Sequence, residues 1–265
     1  MFEFHTDKGR YFEMQRVVTR DDIIPFIEQH TGACVGKRIL EIGCAEAGVL
    51  KAFIEKGNIG TGVELSPSRY ESAKLFLKQE LEDGRFFIIN KNIYDINDPT
   101  AEFGSLFDVI VLKDVIEHIS EQPKFINQLK LFLNHKGIIF FAYPPWWMPF
   151  GGHQQLCATK SLEKLPWFHL LPNFLYKFIL KSFGESDATI NELLSIKSTG
   201  IIIDTLHKII KKEQFEVVSE QFWFINPIYR MKFGLKSRLV PTLLAFIPYL
   251  RNFYTTAHYI LFKMK

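Results

Sequence analysis

Between residues 36 and 143 short apolar runs alternate with stretches of helical period. The runs Arg38–Ile42, Gly60–Glu64, Phe86–Asn90, Phe107–Leu112 and Gly137–Tyr143 are apolar nearly throughout rather than at every second residue, as strands covered on both faces are. The spacing predicts helices between them, one from about Glu46 to Lys56 closed by Gly57, another from Pro123 to Leu133. A third starts at Ser66-Pro67, with serine as cap and proline in the first turn. Strand, helix and strand in this order predict a parallel sheet with crossover helices. After Tyr143 the rhythm breaks. Pro144 to Gly152 excludes regular structure, and residues 160–182 read as aromatic-rich helix interrupted by Pro166 and Pro172. A helix near Ile203–Lys212, a strand near Phe215–Phe224 and a final antiparallel strand near Phe253–Phe262 return to the sheet. The expected organisation is a helical lid over 1–35, an α/β core over 36–143, a cap insertion over 144–200, and a return to the sheet over 201–265. That last part carries a second insertion near 227–250.

Composition narrows the picture. With 265 residues, 47% apolar and 23% charged, the chain can bury a core and is not disordered. Its 26 Phe must be buried or displayed somewhere. Cys34, Cys44 and Cys157 form no close-spaced pair, which excludes a readable disulfide framework or cysteine zinc site. The first residues lack the pattern of a signal peptide, and no run reaches the ~18–20 apolar residues of a spanning helix. A cytoplasmic protein is expected. The net charge of +3 hides an asymmetry: beyond Glu220 there are seven bases and no acid, leaving −4 over residues 1–220. A basic apolar tail points to an anionic surface or ligand, while the near-neutral whole does not suggest nucleic acid.

Candidate chemistry gathers at the strand ends. Strand one runs through Glu41 into Gly43-Cys44-Ala45-Glu46-Ala47-Gly48, small residues that let a ligand approach a helix start. Glu64 ends strand two, where a carboxylate can accept both hydroxyls of a ribose. Strand three leads into Asn92-Ile93, and strand four into Lys113-Asp114-Val115-Ile116-Glu117-His118. Open α/β sheets bind ligands in the crevice beyond these ends.

In this order the motifs resemble the class I S-adenosylmethionine-dependent methyltransferases, in particular the small-molecule branch that includes ubiquinone-biosynthesis O-methyltransferases. The resemblance covers about residues 36–143. It implies a Rossmann-like, mostly parallel seven-stranded sheet with an antiparallel last strand, and S-adenosyl-L-methionine as cofactor. Carried over by residue, Glu41, Gly43, Cys44, Ala45 and Gly48 form the cofactor loop, with Ala45 and Ala47 where the family usually has glycine. Glu64 and Leu65 meet the ribose, Asn92 and Ile93 the adenine, and Lys113 and Asp114 the methionine part. Lys113 is unusual there.

The acceptor side is less determined. His153 follows strand five behind Gly151 and Gly152, and reads equally as a substrate-site base or as a loop histidine capping a helix. His118 is a second candidate base, or a packing histidine beside Val115, Ile116 and Ile119. Trp146, Trp147 and Phe150 are candidate acceptor-lining rings. The cap rings suit either an apolar funnel or plain packing. No His/Asp/Glu spacing suggests a metal. The expected reaction is methyl transfer to a small apolar or aromatic acceptor, O-methylation favoured. Two alternatives stay open: a fold-retaining scaffold, suggested by Ala45, Ala47 and Lys113, and a nicotinamide-dependent oxidoreductase, opposed by the missing Gly-x-Gly-x-x-Gly. The 227–250 region is read as a membrane-contacting patch, a homodimer interface or a second lid.

Overall fold

The computed structural model describes residues 7–265, so the first six residues of the expected lid lie outside it. The sheet contains β1 (Arg38–Ile42), β2 (Ile59–Val63), β3 (Phe86–Ile89), β4 (Phe107–Lys113), β5 (Leu133–Tyr143), β6 (Phe215–Ile225), β7 (Arg238–Leu239) and β8 (Ala257–Met264). Their spatial order is β3-β2-β1-β4-β5-β8-β6-β7. Strands β1 to β5 pair in parallel, and β8 is antiparallel to both β5 and β6.

Among the described residues the sheet has eight strands, not the seven expected. The extra one, β7, lies inside the basic insertion and pairs only Arg238 and Leu239 with the end of β6. Two exposed residues carry no alternation that a sequence pattern could reveal. Three boundaries also differ. The helix expected to Leu133 is α-helical only over Gln122–Gln128, then tightens to a 3₁₀ turn, and β5 begins at Leu133. The last strand starts at Ala257 because Leu250–Phe253 form a 3₁₀ turn. Ser66 sits at the cap position, but its hydroxyl makes no cap bond.

Continuous apolar strands are explained by the two layers they separate. Ile39, Val109, Val111, Phe140, Tyr259 and Leu261 face one core, and Leu40, Ile42, Ile110, Ile139, Phe141, Ile260 and Phe262 face the other. The first is covered by helices α1 (Lys8–Val18), α2 (Ile24–Thr31) and α3 (Gly48–Glu55). Asp7 caps α1, its side chain accepting from the Arg10 N–H at 2.9 Å.

Two appendages complete the molecule. Residues of the 144–200 segment form their own small core around Cys157, Leu162, Phe168, Tyr176, Leu180, Ile190 and Leu193. The C-terminal insertion is tied down by ion pairs, Arg230 to Asp22 at 2.6 Å and Arg251 to Asp204 at 3.0 Å. Among the described residues no helix is long and apolar enough to cross a membrane.

Candidate active site

At the end of β1 the chain turns sharply. The Gly43 N–H donates to the Val63 carbonyl at 2.8 Å, with Gly43 at φ 70°. A Cβ there would sit 2.7 Å from Val115 Cγ2, so glycine is required on both counts. Ala45 (φ 48°) and Ala47 (φ 63°) also take left-handed conformations, which L-residues adopt at a cost of roughly 1–2 kcal/mol each. The turn is thus kept despite alanine where the resembling family usually has glycine, and carries strain in the loop that faces the ligand.

Glu64 explains why the turn holds. One carboxylate oxygen accepts from the Ala45 N–H and the other from the Ser66 N–H, both at 2.8 Å. Each oxygen keeps a lone pair for an incoming hydroxyl. Asn90 Nδ2 donates to the Glu64 carbonyl at 2.7 Å and fixes the strand end, a role the sequence did not suggest. Glu41 is buried, and its Oε2 has no hydrogen-bond partner among the described residues. Burial raises its carboxyl pKa well above the usual range against the pull of Lys113, and the Glu64 charge adds to the rise. Cys44 lies buried against Gly62, and burial together with Glu41 and Glu64 keeps its thiol protonated. That suits a loop-lining residue and not a nucleophile.

Lys113 pairs with Asp114, which stands in a left-handed conformation (φ 56°) with its N–H on the Ala142 carbonyl at 2.8 Å. Burial works against the Lys113 ammonium, but Asp114, Tyr11 and Glu117 outweigh it and hold its pKa above the ordinary lysine value. Helix α1 crosses above this floor. Tyr11, Phe12 and Gln15 line a cavity with Glu41, Gly43, Cys44, Ala45, Gly48 and Lys113. Its volume, about 20 Å³, holds roughly one water. A Cβ on Gly48 would meet the Phe12 carbonyl at 2.3 Å, so this glycine lets α1 lie down. Farther along, Asn92 Oδ1 accepts from the Tyr94 N–H at 3.1 Å, Ile93 is buried, and Leu65 is exposed at the open end.

On the opposite wall the His118 and His153 rings meet edge to face, 4.9 Å between centroids. Glu117 joins them: the ligand-type atoms of Glu117, His118 and His153 lie within 4.8 Å of one another, and among the described residues neither Glu117 oxygen has a hydrogen-bond partner. Spacing in sequence hid this cluster because His153 lies 35 residues from His118. These groups can move a proton, and they are also of metal-ligating type. His118 sits on a 3₁₀ turn and is exposed, so it is not a packed helical histidine. His153 takes φ 55°; the two glycines before it serve close approach instead. A Cβ on Gly151 would lie 2.5 Å from the Trp146 carbonyl, and one on Gly152 2.2 Å from His169 Cβ.

The aromatic candidates divide. Trp146 packs edge-on to His169 at 4.6 Å and covers Gly200, while Trp147 packs on Phe253 at 5.3 Å. Phe150 is exposed.

A family model described as a methyltransferase domain matches residues 19–183, well over half of the chain. The chain belongs to that family. Membership sets aside the nicotinamide-dependent alternative. The methyltransferase is 26% identical over 200 residues to the ubiquinone biosynthesis O-methyltransferase of Idiomarina loihiensis, covering 65% of this chain and 79% of that one. It is 25% identical over 209 residues to the protein of the same name from Actinobacillus pleuropneumoniae, covering 77% and 81%. In three dimensions it is similar to magnesium protoporphyrin IX methyltransferase from Synechocystis, solved with bound S-adenosylhomocysteine (TM-score 0.54, 12% identity, 98% of this chain and 88% of that one). It is likewise similar to an S-adenosylmethionine-dependent methyltransferase from Clostridium acetobutylicum (TM-score 0.56, 11% identity, 98% and 94%). At such identities these likenesses establish the fold, a Rossmann-like mostly parallel sheet flanked by helices.

Proposed function

We propose that the methyltransferase takes its methyl group from S-adenosyl-L-methionine and transfers it to a hydroxyl of a small apolar or aromatic acceptor. The observation that carries the cofactor reading is the pair of buried carboxylates at the ends of β1 and β2. Glu64 retains acceptor capacity for a ribose diol, and the unpartnered Glu41 Oε2 suits a cationic methionine end. Ile93 offers an apolar wall to the adenine, and Lys113 with Asp114 offers one charge of each sign to the amino acid part. These groups fit the cofactor by their chemistry, and the cavity that Glu41, Gly43 and Lys113 line under α1 is about 20 Å³.

When bound, the cofactor supplies an electrophilic methyl on a sulfonium. The residues of this chain then position the acceptor in line and about 3–3.5 Å from it. His153, seated against His118, takes the proton from the acceptor hydroxyl. The relatives' name, O-methyltransferase, supports an oxygen acceptor. Transfer of labelled methyl from S-adenosylmethionine to a panel of phenols tests the reading. Turnover on a phenol that falls in His153→Gln is expected; transfer only to amines, undisturbed by that change, would replace it.

A peripheral membrane location is favoured by one feature of the insertion. Leu243 and Phe246 are 85% and 77% exposed, and Lys236 and Arg238 stand exposed nearby in sequence. Apolar rings and bases together suit an anionic bilayer. Leu243→Ser/Phe246→Ser protein should sediment less with vesicles containing phosphatidylglycerol; equal sedimentation would dismiss this location.

A further inference from the structure

A second cluster lies away from the methyl-transfer crevice. His207 on the helix Ile203–Lys212, Glu220 on β6 and His258 on β8 converge from three elements. Glu220 Oε2 is 2.7 Å from His207 Nε2 and 3.0 Å from His258 Nε2, and the ligand-type atoms of all three lie within 4.8 Å of one another. His258 is fully buried, and about a quarter of each of the other two side chains is exposed. Asp204 lies beside the cluster and pairs with Arg251 at 3.0 Å. Glu220, Phe222 and Arg251 line a cavity of about 260 Å³ beneath the insertion, giving access and room for water.

A carboxylate satisfied by two imidazole N–H groups would account for the contacts alone. It would not call for both rings on the same oxygen or for an adjoining cavity. We propose that His207, Glu220 and His258 form a binding site for a divalent cation of the zinc type, with water from the cavity completing the coordination. Two imidazole nitrogens and one carboxylate oxygen form a donor set that zinc favours and magnesium does not. Binding moves each imidazole proton from Nε2 to Nδ1, so none is lost. At His258 the Nδ1 proton meets Tyr143 Oη, 3.2 Å away, a hydroxyl that accepts as readily as it donates. At His207 Arg251 gives up a long 3.3 Å contact and keeps Asp204. The ion ties the Ile203–Lys212 helix to β6 and β8 of the sheet.

Calorimetric titration of the chelator-treated full chain with zinc chloride tests the site. It is done in a His153→Gln background so that the crevice cluster does not contribute. One equivalent of zinc is expected with an affinity of about 1 µM or tighter. His207→Gln, a change on a partly exposed helix position, should weaken it at least about tenfold. Cobalt(II) should give the visible absorption of a four-coordinate site, lost in His207→Gln. Absence of zinc binding, zinc binding indifferent to His207→Gln, or equal binding of magnesium would overturn the proposal.

Discussion

The two walls of the crevice are built in different ways. The cofactor wall is local. Turns after β1, β2 and β4 each place their groups within a few residues of a strand end, and main-chain atoms do most of the holding: Gly43 N–H, Ala45 N–H, Ser66 N–H and Asp114 N–H. The acceptor wall is assembled from distant segments. His118 meets His153, Gly152 makes room for His169, Gly200 for Trp146, and Trp147 reaches Phe253. A wall of turns tolerates side-chain change as long as the backbone path survives, whereas a wall of long-range contacts depends on each shape at once. Ala45 and Ala47 illustrate the first case, since the left-handed turn persists without glycine.

The sharpest way to break this contrast is on the acceptor wall. His153→Gln should lower turnover about 100-fold, with S-adenosylhomocysteine affinity unchanged within about twofold, as expected for a positioned base. A parallel loss of cofactor affinity would mean that the walls are not separable. Next in size is a pH effect at His169, which is fully buried, donates Nε2–H to the Trp146 carbonyl at 2.8 Å and faces Gln154 through Nδ1. Burial pushes its pKa down to about 4. The unfolded chain therefore binds more protons between about pH 6.5 and 4, and stability should fall as pH falls through that window, by about 3 kcal/mol at most. Denaturant titrations across that window should show a shallower decline in His169→Gln; identical slopes would remove His169 as the cause.

Two glycine substitutions sharpen the comparison further. Gly152→Ala should cost about 1–3 kcal/mol of stability, because its Cβ meets His169 at 2.2 Å. Gly48→Ala should act locally instead, its Cβ pushing the Phe12 carbonyl, and with it α1, away from the loop and accelerating amide exchange in Lys8–Val18. The smallest effect belongs to Ala45→Gly. Relief of left-handed strain and the added freedom of the unfolded chain nearly offset, so stability should rise by up to about 1 kcal/mol. A loss of that size would show that the loop is not strained at this position.

The same division governs what could be read from the sequence. Continuous apolar strands, Gly57 at a helix end, and the acids at the tips of β1 and β2 are short-range signals, and the structure places them as expected. What escaped was long-range or lacked periodicity. β7 is two exposed residues, Gly151 and Gly152 are required by sterics against Trp146 and His169, and Asn90 locks a carbonyl 26 residues away. Glu117 lies in the run that follows strand four, but its two oxygens, unpartnered among the described residues, become meaningful only once His153 is beside it. Trp146 and Trp147, candidates for the acceptor, have rings taken up by packing on His169 and Phe253. Pairs of this kind have no spacing rule.

Glu64 and the strained turn form a working cofactor site despite Ala45 and Ala47 if the full chain binds S-adenosylhomocysteine in a calorimetric titration run with NAD as the control ligand and Glu64→Ala alongside. Micromolar binding of S-adenosylhomocysteine, none of NAD, and at least about a tenfold loss in a folded Glu64→Ala variant are expected. No binding by the folded wild-type chain, or affinity unchanged in Glu64→Ala, would contradict it.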